Sequence, residues 1–403
     1  MQKTRTRVTG LQWEVMMEFN LNEMQKDIRS IAREYAEKFI RPRIEEIENA
    51  KEFPEDLYAV MADMGLIGVP YPEEYGGVGA GYLETAIVLE EIGRVSASAA
   101  TLLTVCYLPL DAFHLYANEE QLQKYMVPCI NGSQCGSFAF TEPGTGSDPK
   151  QLTTIARKKG DKYYITGTKR FISNASYNGP IVVFAKEEET GECTAFIVDK
   201  FCKGYSLSTP WEKVSLRGSN IYDVFFDEVE ASEEDVLGKH GQGFDILIGT
   251  TAYGKLAFSA VFTGTMQGSY ELAQKYAKEK MHRDKPIAKF PTIQSRIATV
   301  AANVLAAKMC LYKVAADADK FRGDVRRIQC GTALIKGFIS DLAVETNVMA
   351  LNVHGAYGVT DEYQVERMVR DALVAPNIEG SADIQRLIAG GYLLRSNEDF
   401  FEI

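Results

Sequence analysis

The order in which the hydrophobic patterns follow one another is the feature that most constrains the fold. Up to about residue 131, apolar residues recur at helical spacing, and Asn22 with Gln25 suits a capping box. From about residue 132 short β-rich runs alternate with polar turns, and beyond Gly243 helical spacing returns. Because strands and helices do not alternate, the pattern argues against a doubly wound fold and predicts an α+β protein.

The same pattern divides the 403 residues into four parts. Residues 1–16 are predicted to be a basic N-terminal extension or the remnant of a targeting peptide. Residues 17–131 are predicted to form an N-terminal α-helical domain, residues 132–242 a middle antiparallel β domain, and residues 243–403 a C-terminal α-helical bundle. Without a G-x-G-x-x-G sequence after a strand, a Rossmann cofactor site is not expected.

Composition excludes several classes of function. The net charge of -11 argues against nucleic-acid binding, because neutralising phosphates requires concentrated Lys and Arg. The seven cysteines are scattered and never spaced C-x-x-C, so we expect no metal site, no disulfide framework and a reducing, cytoplasmic location. No stretch is expected to reach the roughly 20 apolar residues that span a bilayer, so membrane insertion is not expected either.

Two segments contain the residue types that oxidation of a thioester by a flavin requires. They are TEPGTGSD at residues 141–148 and IEGSADIQRLI at residues 378–388. Together with KRFISN, LRGSN and YGVTDEYQVERMVRD, in this order, they resemble the acyl-CoA dehydrogenase family over essentially everything after Met17. The resemblance implies an acyl-CoA dehydrogenase-like fold, an FAD cofactor and the removal of two hydrogens next to a thioester.

By this resemblance, Glu379 is the catalytic base. An α-proton beside a thioester is weakly acidic, so the carboxylate must be desolvated and its pKa raised toward the working pH. Gly380 allows close backbone approach to the substrate, and a backbone N–H at this turn can donate to the thioester oxygen. Taken alone, Glu379 could equally be an ordinary glutamate that interacts with a helix dipole.

The resemblance also implies which residues contact the cofactor. Residues from Phe138 through Thr141, with Phe171 and Ser173 of KRFISN, are expected to face the flavin ring, and Ser147 to contact both cofactor and thioester ligand. Without the resemblance, Phe171 would be interpreted as sheet core and Ser147 as a turn hydroxyl.

The remaining cofactor contacts are expected around the adenosine and pyrophosphate, partly across a subunit boundary. The resemblance therefore implies a homodimer or homotetramer. Several positions depart from the usual family residues, among them Lys280 in place of arginine. The matching residues in this sequence are Lys280, Arg283, Asn352, Gly355, Ser381 and Asp383.

The predicted substrate segment departs from the family as well, because Ala252 and Lys255 replace its usual acid and arginine. Tyr253, Gly254 and Lys255 are expected to contact the substrate, and the bulky Tyr253 predicts a short or unusual acyl group. Tyr253 could equally point into the helical bundle. His354 is interpreted as structural.

The predicted reaction is FAD-dependent α,β-dehydrogenation of an acyl thioester of coenzyme A or of an acyl carrier protein. Glu379 would take the α-proton and flavin N5 the hydride, with an electron-transfer flavoprotein as the acceptor of the electrons. Two alternatives stay open from the sequence. One is an acyl thioester oxidase that uses oxygen, and the other is a catalytically degenerate, flavin-poor relative with a structural or binding role.

Overall fold

A computed structural model describes residues 20–50, 53–396 and 400. The predicted extension 1–16 lies outside the described residues. Within them the predicted order of a helical part, a sheet and a second helical part is confirmed, and the fold is of the α+β class.

Helices make up the first part. The predicted capping box is confirmed, since the side chains of Asn22 and Gln25 each accept a hydrogen bond from the other's backbone N–H. The side chain of Ser96 caps the helix that begins at Ala97 by accepting a hydrogen bond from Ala99 N. The helices are α1 (Glu23–Tyr35), α2 (Ile44–Asn49), α3 (Glu55–Asp63), α4 (Tyr82–Gly93), α5 (Ala97–Tyr116), α6 (Glu119–Gln121) and α7 (Val127–Ile130).

An eight-stranded sheet follows. Its strands are β1 (Ser137–Ala139), β2 (Ile155–Lys159), β3 (Lys162–Ser173), β4 (Pro180–Glu187), β5 (Cys193–Asp199), β6 (Tyr205–Leu207), β7 (Ile221–Ser232) and β8 (Val236–Leu237). They are ordered β6-β7-β3-β2-β4-β5-β8, with β1 also paired to β4. The sheet is mainly antiparallel, as predicted, except that β4 runs parallel to β1 and β2. The exception could not be predicted because an alternating pattern identifies a strand but not its partner.

The last part is a helical bundle around one long central helix. Its elements are α8 (Gly243–Glu279), the hairpin β9 (Met281–His282) and β10 (Lys285–Pro286), α9 (Pro291–Lys320), α10 (Val325–His354), α11 (Val365–Ala372) and α12 (Ala382–Leu393). The small hairpin corrects the expectation that strands stop at Gly243. Helix α8 packs against α4, α5, α9 and α10, so one core joins the two helical parts.

The expectation that no segment is long and apolar enough to span a bilayer is wrong. Helices α5, α8 and α9 each contain a stretch that is long and apolar enough. In α5 and α8 most of the apolar stretch is buried inside the protein, whereas in α9 most of the apolar stretch is not buried. The apolar composition of α5 and α8 is therefore explained by their place in the core.

Candidate active site

Glu379 lies in the turn between α11 and α12, in an unusual backbone conformation. Its φ is 54° and that of Gly380 is 78°, so both residues are left-handed. A non-glycine residue rarely adopts this conformation, and where it does the surrounding structure must compensate the strain. This turn aims the Glu379 side chain at α8.

The carboxyl group of Glu379 is enclosed by α5 and α8. A β-carbon built on Gly254 would lie 2.3 Å from Glu379 Oε1 and 2.8 Å from Leu108 Cδ2. Oε1 is buried and has no hydrogen-bond partner among the described residues. Burial raises the pKa of Glu379 to about 7, while Lys255 and Lys336 oppose the rise. The group is thus a carboxyl poised to exchange a proton near neutral pH.

Two buried lysines flank Glu379. Lys336 Nζ of α10 donates to Ala375 O at 2.8 Å and to Gly380 O at 2.9 Å, on either side of Glu379 in the chain. No side chain in the described part hydrogen-bonds the ammonium of Lys255, which interacts electrostatically with Glu379. Burial lowers the pKa of both lysines to about 8. Lys336 therefore fastens the turn, and Lys255 favours the ionised form of Glu379.

The expected flavin-contacting residues lie at the end of β3 and on β1. Phe171 has a φ of 60° where the β3–β7 register shifts, and 52% of its surface is exposed. Its ring meets that of Trp211, also exposed, at 5.5 Å between centroids. The interpretation of Phe171 as sheet core is therefore wrong. Thr141 O accepts from Arg170 N at 2.7 Å, which ties the two expected segments together.

Phe138 and Ser173 support this arrangement from β1 and β3. The half-buried Phe138 packs edge-on against Phe184, with 5.0 Å between ring centroids. Ser173 O accepts from Ser137 Oγ at 3.1 Å. Phe138 is thus mainly part of the sheet packing, whereas Ser173 marks the end of β3 beside the exposed Phe171.

The TEPGTGSD segment is anchored by a residue that the sequence analysis did not single out. Glu142 accepts hydrogen bonds from the backbone and hydroxyl groups of Thr153 and Thr154, and Lys169 Nζ donates to it at 2.9 Å. Lys169 is fully buried, so the pair is shielded from solvent. This anchor leaves Ser147 exposed on the surface of the loop.

Tyr253 points into the protein, where its ring stacks on Tyr82 with centroids 4.0 Å apart. Both rings line a cavity between α4, α5 and α8. The ring of Tyr253 therefore points into the helical bundle, and its contact with the substrate stays a prediction.

The residues expected at the adenosine and pyrophosphate fall into two groups. Ser381 and Asp383 lie close to Glu379 in the chain. Ser381 caps α12, and Asp383 pairs with Arg386. Lys280 instead follows the far end of α8, about 39 Å from Gly254 at 1.5 Å per helical residue.

The other distal residues lie near Lys280. Arg283 forms the β9–β10 turn, and Gly355 ends α10 with a φ of 62°. Lys280 Nζ lies 4.5 Å from the ring centroid of Tyr357, which follows Gly355 closely. Asn352 is exposed nearby, near the end of α10. One chain therefore does not bring these residues to its own Glu379.

His354 is buried by packing within the helical bundle, as expected for a structural residue. It is buried against the ring of Tyr276, with 4.4 Å between centroids, and its Nδ1 lies 3.1 Å from Ala350 O. Burial lowers the pKa of its imidazole. It lies at the end of α10, among the residues around Lys280.

Three comparisons with known proteins show what the chain is similar to. Residues 22–133, 137–229 and 241–394 match the N-terminal, middle and C-terminal domains of acyl-CoA dehydrogenase. An acyl-CoA dehydrogenase of Bacillus subtilis is 35% identical over 93% of this chain and 99% of its own. The subunit CarC of the caffeyl-CoA reductase-Etf complex of Acetobacterium woodii is 34% identical over 93% and 99%.

A solved structure shows the same fold with the cofactor bound. The acyl-CoA dehydrogenase from Bacillus anthracis complexed with FAD is similar at a TM-score of 0.86 and 27% identity, over 93% of this chain and 68% of that one. The three matching domains cover most of the chain in the order that its helices, sheet and bundle follow. The chain therefore belongs to the acyl-CoA dehydrogenase family, whose members are oxidoreductases that act on CH–CH groups.

Proposed function

We propose that this protein is an FAD-dependent dehydrogenase of acyl thioesters in which Glu379 removes the α-proton. The observation that carries the proposal is the buried Oε1 of Glu379, which has no partner among the described residues and faces Gly254. An unpartnered buried carboxylate is costly for stability, and catalysis explains why it is present.

The surroundings of Glu379 suit proton abstraction. Its pKa of about 7 makes it both ionised in useful amounts and basic enough to take a proton from carbon. Its own backbone N–H and that of Gly380 donate to no group in the described part of the chain. Either N–H is thus available to the thioester oxygen as enolate charge develops.

The exposed aromatic pair fits a flavin. Phe171 and Trp211 offer apolar surface. Hydroxyl groups are carried by Ser173, at the end of the same strand, and by Thr141, whose carbonyl accepts from Arg170 N. When bound, FAD supplies the acceptor of the β-hydride. The proposed role of the chain here is to hold that acceptor near Glu379 and to exclude water from the carboxyl group.

Two proposals concern partners. The name of the caffeyl-CoA reductase-Etf subunit supports an electron-transfer flavoprotein as redox partner of this chain. The separation of about 39 Å between Gly254 and Lys280 along α8 supports a homodimer or homotetramer, because one FAD is too short to reach both groups of expected residues within one chain. A cytoplasmic location and a coenzyme A or carrier-protein thioester complete the proposal.

Anaerobic titration of the purified holoprotein with acyl thioesters tests this function. A panel of short, long and branched acyl groups on coenzyme A and on carrier protein should contain members that bleach the flavin absorbance. Bleached protein that stays reduced in air until electron-transfer flavoprotein is added is a dehydrogenase, whereas rapid reoxidation by air identifies an oxidase. Absence of bleaching by every thioester would contradict the proposal.

A further inference from the structure

A loop that leaves the sheet and returns to it carries the LRGSN segment to the helical parts of the protein. We call this loop, residues 212–220, the arm. Its two ends meet at the sheet, because Trp211 N donates to Ile221 O at 3.0 Å. Its tip reaches α5, where Gly218 N donates to Ser98 Oγ at 3.2 Å. The arm therefore joins the edge of the sheet to the helices.

Helix α11 holds the tip of the arm through two neighbouring side chains. Leu216 N donates to Asp371 Oδ1 at 2.8 Å. Arg370 Nη1 donates to Val214 O at 3.3 Å. One side chain thus accepts from the backbone of the arm and the next one donates to it, which fixes the arm in two places on the same helix.

The carboxyl group of Asp371 is costly to keep at this place. It is fully buried, and burial raises its pKa, with a further rise from Glu48 and an opposing effect of Arg367. Its Oδ2 lies 3.8 Å from Arg367 Nη1 and has no hydrogen-bond partner among the described residues. The hydrogen bond that this group does accept, within the described part of the chain, comes from the arm. Holding the arm is therefore the contact that explains Asp371.

Helix α11 also leads into the turn that carries Glu379. Lys336 ties that turn to α10, so the position of the base does not depend on the arm. The root of the arm carries Trp211, whose ring lies against that of Phe171. Asp371 thus connects the segment of the base with the edge of the sheet that carries the exposed aromatic pair.

We propose that Asp371 is a positioning residue that aligns Glu379 with the flavin by holding the arm. This inference rests on the proposed function, because it concerns the same base and the same cofactor. Loss of Asp371 would let the sheet, with its aromatic pair, shift relative to the turn that carries Glu379. Hydride transfer requires both groups in register and should suffer, whereas removal of the α-proton requires Glu379 alone.

The test measures these two steps separately in the holoprotein. Flavin reduction is followed by anaerobic stopped-flow absorbance with butyryl-CoA, octanoyl-CoA and 3-phenylpropionyl-CoA. Exchange of the α-proton is followed with 3-thiabutyryl-CoA, 3-thiaoctanoyl-CoA and (phenylthio)acetyl-CoA, in which sulfur replaces the β-carbon and no β-hydride exists. Glu379 then removes an α-proton and returns a deuteron from D2O without any transfer of electrons. Mass spectrometry of the recovered thioester measures this exchange.

We expect Asp371→Leu to slow flavin reduction about 100-fold, while α-proton exchange changes less than about threefold. Asp371→Asn keeps an oxygen for Leu216 N and should restore most of the flavin reduction. Arg370→Met removes the hydrogen bond to Val214 O and should lower the ratio of the two rates to a smaller extent, also if the leucine variant does not fold.

The matched control is Asp111→Leu. It makes the same change at another buried aspartate, which accepts from Tyr71 and Tyr82 and lies on α5 away from the arm. Any general loss of folded protein lowers both rates together, so the ratio of flavin reduction to α-proton exchange should stay unchanged in this variant.

An unchanged ratio in both Asp371→Leu and Arg370→Met would overturn the inference, because it would mark a purely structural role. That result leaves the proposed function standing, since the unaltered holoprotein still bleaches. Failure of all three oxidisable probes to bleach the flavin of the unaltered holoprotein would count against the proposed function and would remove this inference with it.

Discussion

The carboxyl group of Glu379 lies so close to Gly254 that position 254 has no room for a side chain. A β-carbon there would be 2.3 Å from Glu379 Oε1, well inside van der Waals contact. The glycine of α8 and the glutamate of the α11–α12 turn thus form one structural unit. Glycine is unfavourable within a helix by about 1 kcal/mol relative to alanine, so its presence here points to function.

Gly254→Ala is expected to displace the Glu379 carboxyl group. Misplacement by about 1 Å can lower catalysis about 100-fold, so kcat should fall by that order while flavin stays bound. Steady-state kinetics and the flavin-to-protein absorbance ratio measure the two effects. Gly390→Ala is the matched control, because a β-carbon there has no neighbour within 4 Å. Equal activity of both variants would contradict the close approach.

Glu379→Gln is expected to keep the fold and the flavin but lose turnover. The amide has nearly the same shape and cannot accept the α-proton, so kcat should fall by about 100-fold to 10,000-fold. Glu230→Gln, which makes the same change at an exposed carboxylate of β7 that pairs with Lys162, should leave kcat nearly unchanged. Near-normal turnover of the Glu379 variant would exclude this residue as the base.

The pH dependence of kcat/KM should report the ionisation of Glu379. Because the base must be deprotonated, kcat/KM should rise with pH and level off above about 7. Lys255 lowers the pKa of Glu379, so Lys255→Met should move this rise to higher pH, while Lys255→Arg keeps the positive charge and should move it little. An unchanged profile in the methionine variant would contradict the electrostatic role of Lys255.

Lys336 is expected to position the turn that carries Glu379. Lys336→Met removes hydrogen bonds to Ala375 O and Gly380 O and leaves these carbonyl groups without that donor. We expect an unfolding free energy lower by about 2 kcal/mol and a lower kcat with a nearly unchanged KM. Lys336→Arg should restore part of kcat, which a general loss of stability alone would not predict. Chemical denaturation and kinetics of the three proteins decide this.

The succession of helices, sheet and helices was predictable because hydrophobic periodicity records which side of each element faces the core. The exposure of Phe171 could not be predicted, because an alternating run of residues predicts that one face of the strand is buried. It gives no sign that Phe171 is left-handed or that the β3–β7 register shifts there. The pairing of β4 was hidden for a related reason, since the choice of neighbour depends on long-range packing.

For the site, Glu379 could be predicted because its segment carries a recognisable order of residues. Lys336 could not, although it is the one charged residue between Ile328 and Ser340 of α10, and a buried charge is unusual and costly. Such a residue signals a buried polar role, but only the packing shows which carbonyl or hydroxyl groups it meets. The flanking of Glu379 by two lysines is a property of three separate elements.

The last prediction concerns the residues around Lys280. If Lys280 and Arg283 contact the FAD pyrophosphate of a neighbouring subunit, the double variant Lys280→Gln, Arg283→Gln should lose flavin on gel filtration. The loss should grow with salt, because the remaining attraction is screened over about 10 Å at 0.1 M ionic strength. Lys278→Gln is the control, since it removes a charge from the same end of α8 outside the expected contact. Light scattering in parallel should show a dimer or tetramer, and a monomer that holds one FAD per chain would contradict the shared site.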